Sequence, residues 1–385
     1  VLDKLTAARR QPEIQTVPIL AALGRVLAAP VLADRDLPPV SRSSRDGFAV
    51  RAIDLPGTLR VTGEVRAGES PAGIVGAGEA IEIMTGAPVP PGANAVVMVE
   101  HTRREGESMA VDRAVTPGEN ISRQGCEGRQ GDIILAAGTP LGYAQMSALA
   151  MVGTSDVPVY RRPAVAILPT GDEVVPVDER PQSYQVRNSN ACSLAAQVTR
   201  AGGEPRIMSI ARDNWEATES LIEEGLKCDL LLLSGGVSAG KYDIVERVLE
   251  KLGAEFFFDR VLIQPGQPVV FGRAKGTFFF GLPGNPVSTM VTFELFARAA
   301  VELLGGQSDP LLPLLWASLA QDFRHKPGLT RFLPARLSPG GSPVTPVAWK
   351  GSSDIAAVAR SNAFLVAESD QEKWVAGDWI RVLPH

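Results

Sequence analysis

Three stretches of this chain gather residues that could hold and hydrolyse a phosphorylated ligand. The first, Leu231-Leu-Leu-Ser-Gly-Gly-Val-Ser-Ala-Gly-Lys-Tyr-Asp243, reads as a buried strand, a Ser/Gly loop and the start of a helix. Small residues in succession let backbone N–H groups approach an anion, and a helix start adds unpaired donors and its positive dipole end. Ser234 and Ser238 bring hydroxyls, while Gly235 and Gly236 leave the backbone uncovered. The second stretch is Pro283-Gly-Asn-Pro-Val-Ser288. Asn285 suits an N-cap and Pro286 the first helical position, so a helix running to Leu304 should begin with its N–H groups facing this loop. The third is Thr170-Gly-Asp-Glu173, after a strand that ends at Leu168. With Asp213 in the next strand-end loop and Asp243, it offers carboxylates from three separate turns. Such a set suits Mg2+, which takes a few carboxylates plus the ligand's own phosphates. Taken singly, each of these acids would also be at home as a solvated loop residue.

Other chemistries are poorly served. The three histidines, His101, His325 and His385, fit neither a zinc site nor a Ser-His-Asp triad. Cys126, Cys192 and Cys228 have no metal-ligand spacing and cannot all pair within one chain, as expected of reduced thiols in the cytoplasm. A formal net charge of -5 without any Lys/Arg run argues against a nucleic-acid surface. No apolar run approaches the ~20 residues that span a bilayer, and the first ten residues lack a signal-peptide core. The chain opens on Val1 rather than Met, as expected of a trimmed sequence.

The elements that must carry these loops follow from periodicity. A chain of 385 residues with 38 Gly and 30 Pro should form several domains rich in loops and short strands. Residues 1–10 and 19–29 read as helical, and the paired prolines after Asp36-Leu37 start an extended linker. Valine-rich runs between Gly/Pro turns make residues 46–132 a small β domain, with a hairpin tip at 104–107. A helix is expected over 141–151. Strands at 164–168, 206–210, 230–233, 269–272 and 277–281 alternate with helices. One helix carries Val245, Val248, Leu249 and Leu252, another Met290, Phe293, Ala297, Val301 and Leu304, each a stripe that packs on a sheet. The result is a central, doubly wound, mostly parallel α/β domain with ligands at the carboxyl ends of its strands. From about Pro310 short strands return, including 344–349 and 379–382, giving a C-terminal β-barrel-like domain. The expected divisions are 1–45 with 133–160, then 46–132, 161–308 and 309–385.

With its order of motifs the chain resembles the molybdopterin molybdenumtransferases, the MoeA and gephyrin E-domain family. The resemblance rests on Ser234-Gly-Gly-Val-Ser-Ala-Gly-Lys-Tyr-Asp243, Gly281-Leu-Pro-Gly-Asn-Pro-Val-Ser288, Ser43-Ser-Arg-Asp-Gly-Phe-Ala-Val50, Ile83-Met-Thr-Gly-Ala-Pro-Val-Pro90, Gly118-Glu-Asn-Ile121 and Thr170-Gly-Asp-Glu173. It implies a central domain of molybdopterin-binding type within an elongated protomer of four parts. It also implies a cytoplasmic homodimer, with the active site between the α/β domain of one subunit and the protruding β domain of the other. The implied reaction takes adenylylated molybdopterin, supplied by a molybdopterin adenylyltransferase as upstream partner, and molybdate. Mg2+ assists hydrolysis of the phosphoanhydride, AMP leaves, and molybdenum stays on the dithiolene. Asp46 and Thr85 would come from the partner subunit, with Glu127 where the family usually has Asp. Glu173, Asp213 and Asp243 would hold the metal and, with Asp46, serve catalysis. Ser234, Gly235, Gly236, Ser238, Pro283, Asn285, Pro286, Ser288 and Ser352 would line the ligand.

The oxyanion segment departs from the family. Where related chains carry Lys-Pro-Gly-Lys-Pro, this one reads Gln264-Pro-Gly-Gln-Pro268. Gln264 and Gln267 can still donate hydrogen bonds, but an ion-assisted bond is roughly twice as strong. Arg45 replaces the usual Met before Asp46-Gly47, the arginine of Gly328-Leu-Thr-Arg-Phe332 is displaced, and Lys350-Gly-Ser-Ser-Asp354 adds an acid. The alternatives to an insertase are a paralogue that carries molybdopterin or its nucleotide as a scaffold, and insertion of another oxyanion such as tungstate.

Overall fold

The computed structural model describes residues 1–8, 12–71, 73–235 and 244–385. Gly236, Ser238 and Asp243 lie outside the described residues. The central domain runs β1 (Ala164–Pro169), α1 (Ser189–Arg200), β2 (Glu204–Ile207), α2 (Trp215–Gly225), β3 (Leu230–Ser234), α3 (Ile244–Lys251), β4 (Glu255–Phe258), β5 (Val270–Ala274), β6 (Thr277–Leu282) and α4 (Pro286–Thr292). Its sheet has the order β2-β1-β3-β6-β5-β4. The first four strands are parallel, and β5 and β4 add an antiparallel edge.

Successive side chains of a strand point to opposite faces, and the two faces carry different helices. Val165, Ile167, Leu230, Leu232, Phe278 and Phe280 pack with Leu194 and Val198 of α1 and with Phe293 and Val301. Ala166, Leu168, Leu231, Leu233 and Phe279 pack with Ile222 of α2 and Val245 and Val248 of α3. Each fully buried Leu or Phe contributes roughly 1.5–3 kcal/mol, so the strands are apolar on both sides because both sides are covered. The strand order reverses between β1 and β3, and that switch point opens the crevice in which such sheets bind ligands.

Three further units surround this sheet. Gly47–Val50, Glu79–Ile83 and Gly57–Val65 belong to a six-stranded sheet whose faces bury Phe48 and Val97 on one side and Ile81 and Val96 on the other. The N-terminal part is discontinuous in sequence: Ile14–Pro18 pairs with Asp156–Tyr160, and Val31–Leu32 with Ile133–Leu135. In the C-terminal sheet Thr330–Leu337, Ala363–Ala367, Trp379–Pro384 and Leu315–Ser318 enclose Leu365, Trp374 and Val382. The short strand Ile263–Gln264 leaves the central domain and joins this sheet beside Thr330–Leu337.

Several local expectations are corrected. Residues 19–29 are not one helix: a 3-10 turn covers Ile19–Ala22, Gly24 takes φ +72°, and Val26 and Leu27 bridge to Pro140 and Val159. Long-range pairing with the segments around Pro140 and Val159 overrides the helical spacing of the apolar residues. The strand expected at 206–210 begins two residues earlier, at Glu204, and 344–349 is a strand only over Val344–Pro346. The helix expected to run to Leu304 does so, but with a π-helical turn at Phe293–Ala297 before Arg298–Leu304.

Candidate functional site

Three loops meet at the carboxyl ends of β1, β3 and β6. Ser234 is buried; its carbonyl accepts from the Thr170 backbone N–H at 3.1 Å and its hydroxyl from Asn190 Nδ2 at 3.0 Å. The same Asn190 nitrogen donates to the Gly284 carbonyl at 2.8 Å. Gly235 has φ +94°, and a Cβ there would sit 3.0 Å from Thr170 O and Oγ1, so only glycine fits without a shift. Its N–H bonds Leu282 O at 3.1 Å and is thereby committed to joining the loops. Asn190 was not singled out from sequence. The neighbouring Asn188 takes the helix cap by accepting from Ala191 N, which leaves Asn190 free to reach across, with its Oδ1 buried and unpaired. A second Asn two residues past a capping Asn is the signal that could have found it.

The acids form a second part of this region. Thr170 bridges Ala211, and Gly171 N donates to Ala211 O at 3.0 Å, bringing the loops after β1 and β2 together. Arg212 Nη1 donates to the Asp172 and Val174 carbonyls, both at 2.9 Å. Asp213 N donates to Asp172 Oδ1 at 3.1 Å. Burial, then the charges of Asp172 and Glu173, raise the pKa of Asp213. Asp172, within the Thr170–Glu173 stretch but not among the expected metal ligands, is thus a third carboxylate beside Glu173 and Asp213. An all-carboxylate set suits a hard cation that completes its shell with water or phosphate. Among the described residues no three His, Cys, Asp or Glu side chains are grouped to hold a metal by themselves.

The loop 283–288 is held by its helix. Asn285 occupies the cap position and Pro286 the first turn, but the Asn285 side chain makes no capping bond. The Thr289 hydroxyl donates to Pro283 O at 2.5 Å and Asn285 O at 3.1 Å instead. Ser288 is buried, and Val287 N donates to Ser352 O at 3.0 Å, tying the C-terminal domain to the start of α4. Asp354 accepts from Lys350 N at 3.0 Å and, capping its own helix, from Ala357 N at 3.1 Å, and these two backbone donors lower its pKa. Gly266 has φ +103°, and a Cβ there would lie 2.5 Å from Thr292 Cγ2. Gln264 stands opposite Arg331 in register, and Arg331 Nε is buried without a partner. Gln267 O accepts from Val261 N at 3.0 Å.

Asp46 and Thr85 meet on the β domain. Asp46 Oδ1 accepts from Thr85 N at 2.7 Å and Thr85 Oγ1 at 2.9 Å, and these two bonds lower its pKa. The position is fixed by Gly47, where a Cβ would lie 1.9 Å from Val97 O. Glu127 is exposed, with its N–H on Leu37 O at 2.8 Å. Among the described residues no hydrogen bond or ion pair joins Asp46, Thr85 or Glu127 to the strand-end loops of the same chain.

The switch-point loops of a doubly wound sheet, with β domains before and after it, define a multidomain α/β protein with a ligand crevice at its strand ends. Residues 166–303 match the family described as "Probable molybdopterin binding domain", residues 1–153 "MoeA N-terminal region (domain I and II)", and residues 317–385 "MoeA C-terminal region (domain IV)". The molybdopterin molybdenumtransferase of Bacillus subtilis (strain 168) is 34% identical, over 97% of this chain and 90% of its own length. That of Nostoc sp. is 36% identical, over 83% and 76%. The molybdopterin biosynthesis MoeA protein of Pyrococcus horikoshii OT3 superposes with a TM-score of 0.81 at 28% identity, covering 99% of this chain and 97% of that one. The chain belongs to the molybdopterin molybdenumtransferase family and is a transferase. No helix among the described residues is long and apolar enough to cross a membrane.

Proposed function

We propose that the protein inserts molybdate into adenylylated molybdopterin, with hydrolysis of the phosphoanhydride and release of AMP. The observation that carries this reading is the meeting of two strand-end loops, where Gly171 N donates to Ala211 O and Asp213 N to Asp172 Oδ1 beside Glu173, next to the loops that Asn190 holds together; burial and these neighbouring charges raise the Asp213 pKa. Clustered carboxylates that burden one another are relieved by a cation, and perturbed acids in a crevice mark functional sites. Glu173 and Asp213, with Asp243 from outside the described residues, would hold Mg2+, which supplies charge neutralisation at the phosphate oxygens. The chain's own groups do the rest. Ser234 and Asn190 fix the loops around the ligand, and the loop 283–288 presents the start of α4 to an anion. Water attacks phosphorus, the anhydride bond breaks, AMP leaves, and the pterin keeps its own phosphate.

The oxyanion would lie by Gln264 and Gln267, with Ser288 and Ser352 close to the start of α4. Arg331, in register with Gln264 and with an unpaired Nε, supports an anion there despite the missing lysines. That substituted segment also keeps a second reading in view, in which the oxyanion is tungstate. Asp46, Thr85 and Glu127, unconnected to the strand-end loops within one chain, suit a homodimer whose partner subunit completes the site. A cytoplasmic protein that receives its substrate from a molybdopterin adenylyltransferase fits the same scheme.

The test is AMP release from adenylylated molybdopterin by the wild-type protein and by Asp213→Asn, with and without Mg2+. Mg2+-dependent release that Asp213→Asn loses supports the proposal. Tight nucleotide binding without release in the wild type would leave only a carrier.

A further inference from the structure

The base of the central domain holds a basic cavity that the proposed reaction does not use. It has a volume of about 540 Å3 and lies where the paired segments around Arg25 and Leu141 meet the segment 160–162 and the C-terminal end of α1. Pro163, at the start of β1, accepts from the N–H of Glu204, at the start of β2. The cavity therefore opens at the amino ends of the parallel strands, whereas the Thr170, Ser234 and Pro283 loops lie at their carboxyl ends.

Its lining has four arginines, Arg25, Arg161, Arg162 and Arg200, against one acid, Glu302. The acid is already committed, since both Glu302 oxygens accept from Arg298 Nη1, at 2.5 and 2.7 Å. Arg200 is paired with Glu294 at 2.5 Å, and Arg161 with Asp229 at 3.0 Å and Glu13 at 3.4 Å. Two cations remain. Arg25 donates Nη2 to the Tyr160 carbonyl at 2.9 Å, while its Nε is buried with no partner. Arg162 makes no side-chain hydrogen bond or ion pair among the described residues. Burial, and then the charge of Arg162, depress the pKa of Arg25. The helix C-caps Ala201 and Gly305 also line the cavity. Their partial negative charge favours guanidinium groups but supplies no full counter-charge.

A partly buried guanidinium with a free N–H, beside a second one and without a carboxylate, is costly unless an anion joins it. Arginine forks match phosphate oxygens two at a time, and the volume is that of a small-ligand pocket. We infer that this cavity binds a phosphorylated small molecule, a phosphate ester or diphosphate, on Arg25 and Arg162. The bound anion ties the paired N-terminal segments to the central domain at a site separate from the strand-end loops. The inference does not depend on the identity of the reaction at those loops.

The experiment is calorimetric titration of the full chain with inorganic pyrophosphate, for the wild type, Arg25→Gln, Arg162→Gln and Arg331→Gln. The expected result is binding that weakens roughly tenfold or more in Arg25→Gln and Arg162→Gln and persists in Arg331→Gln. Arg162→Gln removes no bond from the fold, so it carries the test even if Arg25→Gln does not fold. Three results would overturn the inference: no binding to the wild type, unchanged affinity in a folded Arg162→Gln, or loss of binding in Arg331→Gln alone. A change in dimerisation by Arg162→Gln with no change in pyrophosphate affinity would also count against it, because the cavity would then meet a second subunit.

Discussion

Asn190 Nδ2 donates to Ser234 Oγ at 3.0 Å and to the Gly284 carbonyl at 2.8 Å, so one amide on α1 joins the loops that follow β3 and β6. Asn190→Ala should lower stability by about 1–3 kcal/mol, because it leaves the buried Ser234 hydroxyl without its partner. It should also weaken AMP binding more than Asn188→Ala, which removes only a cap. Thermal unfolding and AMP titration of the two variants check both halves; equal losses of AMP affinity would assign Asn190 a purely structural role.

Asp213 gives a pH dependence. Its folded-state pKa is raised by burial and by Asp172 and Glu173, so the folded protein binds this proton more tightly than the unfolded chain. The resulting stabilisation is present below the unfolded pKa and is lost as pH rises through the folded one. Without Mg2+, Asp213→Asn should therefore be more stable than the wild type at neutral pH, and the gap should close on acidification. Mg2+ should stabilise the wild type more than the variant, and that advantage should fade as Asp213 takes up its proton. Unfolding curves across pH with and without Mg2+ measure both trends.

The separation of Asp46 from the strand-end loops predicts complementation. If each site takes Asp46 from one subunit and Asp213 from the other, a heterodimer of Asp46→Asn with Asp213→Asn contains one intact site. Random pairing in an equal mixture then restores about a quarter of the sites. AMP release by the refolded mixture, compared with each inactive parent, reads this directly; no recovery would return both residues to one subunit or remove one from the site.

At the oxyanion segment, Arg331→Gln should weaken molybdate binding roughly tenfold, the effect of losing one charge-assisted bond. The double change Gln264→Lys with Gln267→Lys should strengthen it by a similar factor. Competition between molybdate and tungstate in the same titrations identifies the preferred oxyanion.

Gly47→Ala tests the support of Asp46. A Cβ placed 1.9 Å from Val97 O must push the strands Gly47–Val50 and Ala95–Met98 apart, at a cost of roughly 3 kcal/mol. A variant with unchanged unfolding temperature would contradict the packing described for this sheet.

The parts of the fold legible in sequence were those with a single period. The alternation in Val165-Ala-Ile-Leu168 and the stripe of Val245, Val248 and Leu249 define faces, and faces define the doubly wound sheet. Residues 19–29 misled because apolar spacing compatible with a helix is also satisfied by extended backbone once Val26 and Leu27 find Pro140 and Val159, more than a hundred residues away. The acids were visible as residue types in strand-end loops, but which of Asp172 and Glu173 meets Asp213 depends on how Arg212 gathers the turn, a tertiary fact. Asn190 was masked by the adjacent cap at Asn188. The register that sets Arg331 beside Gln264 joins segments from two domains, and no local pattern announces it.

The most direct measurement of the account is a single-turnover reaction of the protein with adenylylated molybdopterin, Mg2+ and molybdate, counting AMP released and molybdenum retained on the pterin. The account predicts that both appear together, one for one, and that Asp213→Asn forms neither. AMP released with no molybdenum retained, from wild-type protein saturated with molybdate, would contradict it.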